Sequence, residues 1–207
     1  MKLKFALFLV LGVFACALIA QAGEMETIPW PGGKKSAKAE KAMPVEVKKT
    51  EAVFGGTKMI PGAMKGEVFF IPEDSGSLPD FSVLKPNGTI YTKTLNVEPR
   101  SFDTGFPGIS DRTEWFAIRY TGSFTAAAEG DFSFRVLSDD GSRVYIDETL
   151  VVDNDGVHPP SELTGTIKLT KGKHAIRVEF FQGPRYELAL QLFVTTPGGT
   201  ERIFESD

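Results

Sequence analysis

The sequence predicts an all-β fold, an antiparallel β-sandwich, for most of its 207 residues. From about residue 66 onward, short segments in which apolar and polar residues alternate follow one another, as in strands with one buried face. Gly, Pro, Asn and Asp, the residues that form turns, separate these segments. The same region shows no sustained apolar period of a helix. Many short strands with turns between them are typical of a sandwich or a barrel.

The alternation locates the individual strands. The first is expected at residues 67–71, and a longer one at residues 114–124 carries Phe116, Ile118 and Tyr120 on one face. The strands expected after it lie at residues 131–137, 143–147, 150–152, 163–170, 176–180 and 187–194. The last two have one clean apolar face each, which suits the inner strands of a sandwich.

The first 22 residues are predicted to be a secretory signal peptide. Lys2 and Lys4 precede an unbroken apolar run at residues 5–20, and Ala20-Gln21-Ala22 is the pattern that a signal peptidase cuts before Gly23. The run is too short for a membrane span, so the mature chain is expected to have no transmembrane span. We therefore expect the protein to be secreted or to lie in the cell envelope, in the periplasm or at the cell surface.

The single cysteine, Cys16, lies inside this apolar run. Val13-Phe14-Ala15-Cys16 loosely follows a lipoprotein cleavage site, so a lipoprotein acylated at Cys16 is the alternative, although the bulky Phe14 disfavours it. Cleavage after Ala22 leaves a mature chain without cysteine. Such a chain has no disulfide, no thiol chemistry and no Cys-ligated zinc.

A linker and a tail are expected on either side of the domain. Residues 23–65 are rich in Pro, Gly and Lys and poor in apolar residues, which predicts a flexible linker. It is interpreted as a tether, with a basic arm that touches anionic polymers or lipid head groups as the alternative. The sandwich is expected at residues 66–196 and a C-terminal tail at residues 197–207. Across the chain, 27 Asp and Glu outnumber 23 Lys and Arg, which does not favour nucleic-acid binding.

An acidic turn lies between two predicted strands. Asp139 and Asp140 are adjacent and Gly141 follows them. Carboxylates on such a turn can hold a hard cation such as calcium, but Asp and Gly also form plain hairpin turns, and the residues alone leave both interpretations open. A second acidic turn, Asp153-Asn154-Asp155-Gly156, lacks the downstream acidic ligand of a calcium loop and is interpreted as a turn.

Four separated blocks of sequence, at residues 114–122, 138–147, 150–154 and 171–183, occur in the order found in a known family. Together they resemble the PA-fourteen (protective-antigen-type) domain, and the match extends from about residue 66 to residue 194. The resemblance implies a β-sandwich of the kind found in secreted and surface proteins, among them toxins, adhesins, glycosidases and flocculins.

The resemblance also implies a set of site residues. In lectin-like members of the family, two consecutive Asp residues joined by a cis peptide bind calcium together with an amide side chain from a second loop, and the calcium takes sugar hydroxyls. By position, the metal ligands here are Asp139, Asp140 and Gln182, with the longer Gln where many members have Asn. Arg185 and Tyr186 follow Gln182 and are expected to contact the sugar, or else to form the rim of a loop.

The expected function is therefore that of a secreted, calcium-dependent, lectin-like module whose partner is a glycan or polysaccharide. The alternative is a structural or protein-interaction module that binds a cell-envelope protein. No catalytic residues are expected, because neither a Gly-x-Ser-x-Gly motif nor a Ser/His/Asp pattern is present. His158 and His174 have no cluster of further ligands around them in the sequence, which disfavours a zinc site.

Overall fold

The computed structural model of the protein describes residues 55–109 and 112–207. The predicted signal peptide, Cys16 and residues 23–54 of the predicted linker lie outside the described residues. Inside those ranges the chain forms strands, turns and one short 3-10 helix at Phe102–Thr104. No helix in this part of the chain is long and apolar enough to cross a membrane.

Eleven strands make up the described part of the chain. They are β1 Met64–Phe70, β2 Gly88–Thr92, β3 Asn96–Ser101, β4 Phe116–Ala126, β5 Gly130–Asp139, β6 Ser142–Ile146, β7 Thr149–Asn154, β8 Ser161–Leu169, β9 Gly172–Gln182, β10 Glu187–Thr195 and β11 Arg202–Ile203.

The strands pair into two antiparallel sheets. One has six strands in the order β2-β1-β4-β9-β6-β7, and the other has the order β11-β10-β5-β8, with β3 also paired to β10. This arrangement confirms the predicted all-β sandwich. The sequence did not predict β2 and β3, because both lie at sheet edges and are short, and β3 contains Pro99. An edge strand tolerates proline and polar residues that an inner strand does not.

The inner faces of the two sheets form the main core. Phe116, Ile118 and Tyr120 of β4, which the alternation placed on one face, are all fully buried there. Phe106, from the loop before β4, stacks on Phe180 of β9 with 5.3 Å between ring centroids, and both rings also contact Phe116. The alternation predicts which residues face inward because a strand places successive side chains on opposite faces.

A second apolar cluster covers the outer face of the six-stranded sheet. Phe69, Phe81, Ala117 and Phe181 belong to it, together with apolar residues of the loop that follows β1. The rings of Phe69 and Phe81 meet edge to face with 5.2 Å between their centroids. Because Phe180 packs into the main core and Phe181 into this cluster, the end of β9 is held from both sides. That end carries Gln182.

The packed domain extends past both boundaries expected from the sequence. Met64, within the predicted linker, is fully buried in the main core. At the other end, β11 pairs with β10 inside the predicted tail, and Phe204 is only 1% exposed. A Pro197-Gly198-Gly199 turn followed by a strand of two residues is too short to show a period, which is why the sequence suggested a tail.

An ion pair holds the turn between β6 and β7 against the start of β9. Asp147 Oδ2 lies 2.6 Å from His174 Nδ1, and Asp147 Oδ1 accepts a hydrogen bond of 2.9 Å from the amide of Ala175. His174 Nε2 lies 2.9 Å from the carbonyl oxygen of Thr170. Both ring nitrogens therefore face acceptors, and the hydrogen bond to Asp147 raises the pKa of His174 above its usual value of 6.5.

This geometry predicts a pH dependence of stability. A raised pKa in the folded state means that the stabilisation is complete below pH 6.5 and is lost as the pH rises through the folded-state pKa. Because Asp147 is half-exposed and screened by solvent, we expect the loss to be about 1 kcal/mol. Urea unfolding at several pH values between 6 and 9 measures it.

The His174→Gln variant is expected to lack this part of the pH dependence, whereas Lys173→Gln, at the exposed neighbouring position of β9, should keep it. Equal pH dependence in wild type and His174→Gln would show that the pair does not stabilise the fold.

Candidate functional site

The candidate site lies at the end of the sandwich where the chain passes repeatedly from one sheet to the other. β5 passes to β6, β7 to β8 and β9 to β10 there, and each connection joins the two sheets. The strand register brings the connections together, since Asp139 lies opposite Ala189 and Ser142 lies opposite both Phe180 and Asn154. A cavity of about 320 Å³ opens between the loops, lined by Asp139, Asp140, Val157, His158, Pro159, Pro184, Arg185, Tyr186 and Glu187.

Asp140 connects the three loops. Asp140 is only 2% exposed. Its Oδ2 accepts a hydrogen bond of 2.7 Å from the amide of Gly183, in the β9–β10 loop. Its Oδ1 accepts a hydrogen bond of 3.2 Å from the amide of His158, in the β7–β8 loop. The peptide bond between Asp139 and Asp140 is cis, as the resemblance implies. One carboxylate thus holds two neighbouring loops in contact with the acidic turn.

Asp139 lies beside Asp140 and is 5% exposed. Burial, and then the charge of Asp140, raise the pKa of Asp139 to about 7. Burial also raises the pKa of Asp140, although the hydrogen bonds from Gly183 and His158 act in the opposite direction. Two adjacent buried carboxylates repel each other when both are ionised, so the site favours a positive charge between or beside them.

Gln182, at the end of β9, is fully buried against the same turn. Its Nε2 lies 3.1 Å from the carbonyl oxygen of Glu187, 3.4 Å from that of Pro184 and 3.4 Å from Asp140 Oδ2. All three neighbours accept hydrogen bonds, which fixes the amide with its nitrogen toward them. Within the described part of the chain, Gln182 Oε1 is buried without a hydrogen-bond partner. A buried acceptor without a partner is unfavourable, and Gln182 itself does not line the cavity that Asp139 and Asp140 line.

The donor set fits a hard cation. Asp139, Asp140 and Gln182 offer carboxylate and amide oxygens, which calcium prefers, and no nitrogen or sulfur ligand of the kind that zinc prefers. Among the described residues, no three His, Cys, Asp or Glu side chains group closely enough to hold a metal ion by themselves. Backbone carbonyls, water or hydroxyls of a bound molecule would have to complete the six to eight oxygens that calcium takes.

The two residues expected to contact a sugar line the same cavity as the carboxylates. Tyr186 is 83% exposed, and its carbonyl oxygen accepts a hydrogen bond of 3.2 Å from the amide of Phe102. Glu114 Oε1 accepts hydrogen bonds from the backbone nitrogen of Arg185 at 2.9 Å and from its Nε at 3.3 Å. These contacts hold the β9–β10 loop against Phe102 and Glu114. The side chains of Arg185 and Tyr186 lie at the cavity mouth.

Sequence reasoning missed two residues of this site. Glu114 holds Arg185 from 71 positions earlier in the chain, and no local pattern connects them. His158 was considered only as a zinc ligand, yet its backbone amide holds Asp140. A contact through the backbone leaves no mark on the residue type, so no signal in the sequence pointed to it.

Comparisons with known proteins agree with this fold. The family model described as PA14 domain matches residues 74–207. A comparison with curated proteins finds no match. Among solved structures, a PA14 sugar-binding domain from an RTX adhesin is 18% identical, with a TM-score of 0.57, and the match covers 70% of this chain and 98% of that one. The PA14 domain of the antifreeze protein MpAFP is 17% identical, with a TM-score of 0.56, over 72% and 92% of the two chains.

A larger protein also contains a similar fold. An anti-sigma factor domain-containing protein from Clostridium clariflavum is 21% identical, with a TM-score of 0.54, over 69% of this chain. The match spans only 45% of that protein. At these identities the structural similarity shows a shared fold.

Proposed function

The chain belongs to the PA14 domain family, and from this premise we propose that its sandwich is a carbohydrate-binding module that uses calcium at Asp139, Asp140 and Gln182. One observation carries the proposal: Gln182, whose buried Oε1 has no hydrogen-bond partner among the described residues, packs against the acidic turn with its Nε2 3.4 Å from Asp140 Oδ2. Two buried carboxylates with an amide side chain packed against them supply oxygen donors of the kind that calcium takes.

Each residue has a distinct part in holding the ligand. Asp139 and Asp140 supply the negative charge, and their burial keeps water from competing for it. Gln182 would supply a neutral oxygen, Oε1, from a side chain whose Nε2 is held by the carbonyl oxygens of Pro184 and Glu187. A bound calcium ion would take the neighbouring hydroxyls of a sugar as neutral oxygen ligands at fixed spacing. Arg185 and Tyr186, at the cavity mouth, offer hydrogen bonds and an exposed ring for stacking on the sugar.

The proposal also covers the role and the cellular location of this module. The similar domain of the RTX adhesin is described as sugar-binding, which supports a binding role for this chain. We extend the proposal to a non-catalytic module that acts outside the cytoplasm, after removal of residues 1–22, on a tether that ends near Met64. Binding of a cell-envelope protein, the alternative function expected from the sequence, stays a prediction.

Calcium-dependent glycan binding tests the proposal. The test screens the full chain on an array of neutral and acidic glycans in about 5 mM calcium, a concentration at which even weak extracellular sites are filled. The chain is expected to bind at least one glycan saturably. The same binding should disappear when calcium is chelated and return when it is added back. Glycan binding that survives chelation would contradict the role of calcium, and no binding to any glycan would contradict the role of carbohydrate.

Gln182→Ala is expected to weaken calcium binding by about 10- to 100-fold, because it removes one oxygen ligand and the contacts that orient it. Isothermal titration with calcium measures the affinity directly. Gln191→Ala is the matched control, since Gln191 also donates through its Nε2, at 2.6 Å to Asn96 Oδ1, but on β10 away from the cavity. An affinity unchanged in Gln182→Ala would remove this residue from the ligand set.

A further inference from the structure

We infer that the second acidic turn, Asp153–Gly156, whose first two residues form the end of β7, positions the first one: Asn154 and Asp155 hold the Asp139–Gly141 turn in place and do not bind the ion. This role rests on the proposed function, because it specifies how the calcium ligands are held. The sequence lacks the downstream acidic ligand of a calcium loop here, and in the structure the side chains of Asn154 and Asp155 are engaged by the protein.

A buried polar network closes the base of the Asp139–Gly141 turn. Ser138 precedes the turn and Ser142 follows it, and their hydroxyl oxygens are 2.7 Å apart. Asn154 Nδ2 donates to Ser138 Oγ at 3.0 Å and lies 3.3 Å from the carbonyl oxygen of Ser161. The hydroxyl of Ser161 donates to Asn154 Oδ1 at 3.3 Å. The amide of Asn154 therefore joins Ser138, and through its hydroxyl Ser142, to the start of β8.

Strand register puts these side chains together. Ser142 lies opposite Asn154 in the six-stranded sheet, and Ser138 lies opposite Ser161 in the other sheet. Asn154 thus bridges the two sheets at the point where β5 passes into β6. Ser138, Ser142 and Asn154 are all buried, so their hydrogen bonds are shielded from water.

Asp155 supports the turn from its other side. Its Oδ1 accepts hydrogen bonds from the amides of Leu78 at 2.8 Å and Gly156 at 2.9 Å, and its Oδ2 pairs with Arg143 Nη2 at 3.1 Å. Both carboxylate oxygens are therefore engaged. A Cβ added to Gly141 would lie 2.8 Å from Asp155 Oδ1 and 2.7 Å from the nitrogen of Gly156. The backbone of the first turn rests directly on the second turn, which explains the glycine at position 141.

These contacts reach the candidate ligands. The carbonyl oxygen of Gly141 accepts a hydrogen bond of 3.0 Å from the amide of Phe181, next to Gln182, and Asp140 Oδ2 accepts one from the amide of Gly183. A turn that loosened at its base would move both carboxylates relative to Gln182. Groups that orient metal ligands without touching the ion commonly change metal affinity by about 10- to 100-fold.

Amide hydrogen exchange tests this positioning role without any cation. In Asn154→Ala, the amide of Gly183 is expected to exchange about tenfold faster relative to the amide of Phe204, which bonds to Leu192 far from the site. Val152→Ala is the control, because Val152 lies two residues earlier on β7 and is buried in the main core. It should lower overall stability without changing the Gly183 to Phe204 ratio. An unchanged ratio in Asn154→Ala would overturn the inference.

A second variant and a calcium titration complete the test. Ser142→Ala removes a single hydroxyl of the network, so it gives the same readout if Asn154→Ala does not fold, and an unchanged ratio there would equally overturn the inference. In isothermal titration, Asn154→Ala is expected to bind calcium about 10- to 100-fold more weakly than wild type, and Val152→Ala with wild-type affinity. If wild type bound no calcium, the proposed function would fail, while the exchange ratio would still decide whether Asn154 holds the turn.

Discussion

Replacement of both Asp139 and Asp140 by asparagine is expected to abolish the stabilisation of this protein by calcium. A ligand that binds only the folded state stabilises it by about 2.7 kcal/mol at a hundredfold excess over its Kd. Wild type should show this gain in urea unfolding at pH 8, and the double variant should show none, because it lacks both anionic ligands of the site. The measurement compares the free energy of unfolding with calcium and with chelator.

The calcium-free protein provides a second readout. Asp139 is buried beside Asp140, and its pKa is raised to about 7, so its ionised form at pH 8 destabilises the folded state. Asp139→Asn alone is therefore expected to be more stable than wild type in chelator and insensitive to calcium. A substitution that merely damaged the fold would lower stability in both conditions.

Asp131→Asn is the matched control for these variants, because it makes the same change on the same strand at an exposed position. It should respond to calcium as wild type does. If the double variant kept the calcium response, the ion would bind elsewhere, and if wild type had no response, the acidic turn would be a plain turn.

Phe204→Ala is expected to destabilise the domain by about 3–5 kcal/mol, the usual effect of deleting a buried phenylalanine ring. Phe204 packs edge to face on Phe124, with 5.4 Å between ring centroids, and also contacts Phe134. Its amide donates a hydrogen bond of 2.8 Å to the carbonyl oxygen of Leu192. The segment expected to be a tail therefore completes the core. Urea unfolding of the full chain measures the change.

Arg202→Ala, two positions earlier on the exposed side of the same segment, is the control and should change stability by less than about 0.5 kcal/mol. A similarly small effect of Phe204→Ala would show that the C-terminal segment does not contribute to the core.

The inner strands were predictable from the sequence because their residues repeat with the period of the structure. β4, β5, β9 and β10 each keep alternating apolar side chains long enough for the pattern to stand out. The sequence did not predict the edge strands β2 and β3 or the two-residue β11, because burial of one face constrains their few residues only weakly. The ligand set came from the family resemblance, since an acidic turn alone is compatible with a cation site and with a plain hairpin.

Local patterns thus determine the class of fold, the faces of the inner strands and the position of the acidic turn. They do not determine which distant residues meet it. Asn154 reaches Ser138, and Glu114 reaches Arg185, only because the strands pair in a particular register and the β5–β6, β7–β8 and β9–β10 connections lie at the same end of the sandwich. Hydrogen bonds between strands and loops depend on that register and topology, which the complete packed core sets and no short stretch of sequence encodes.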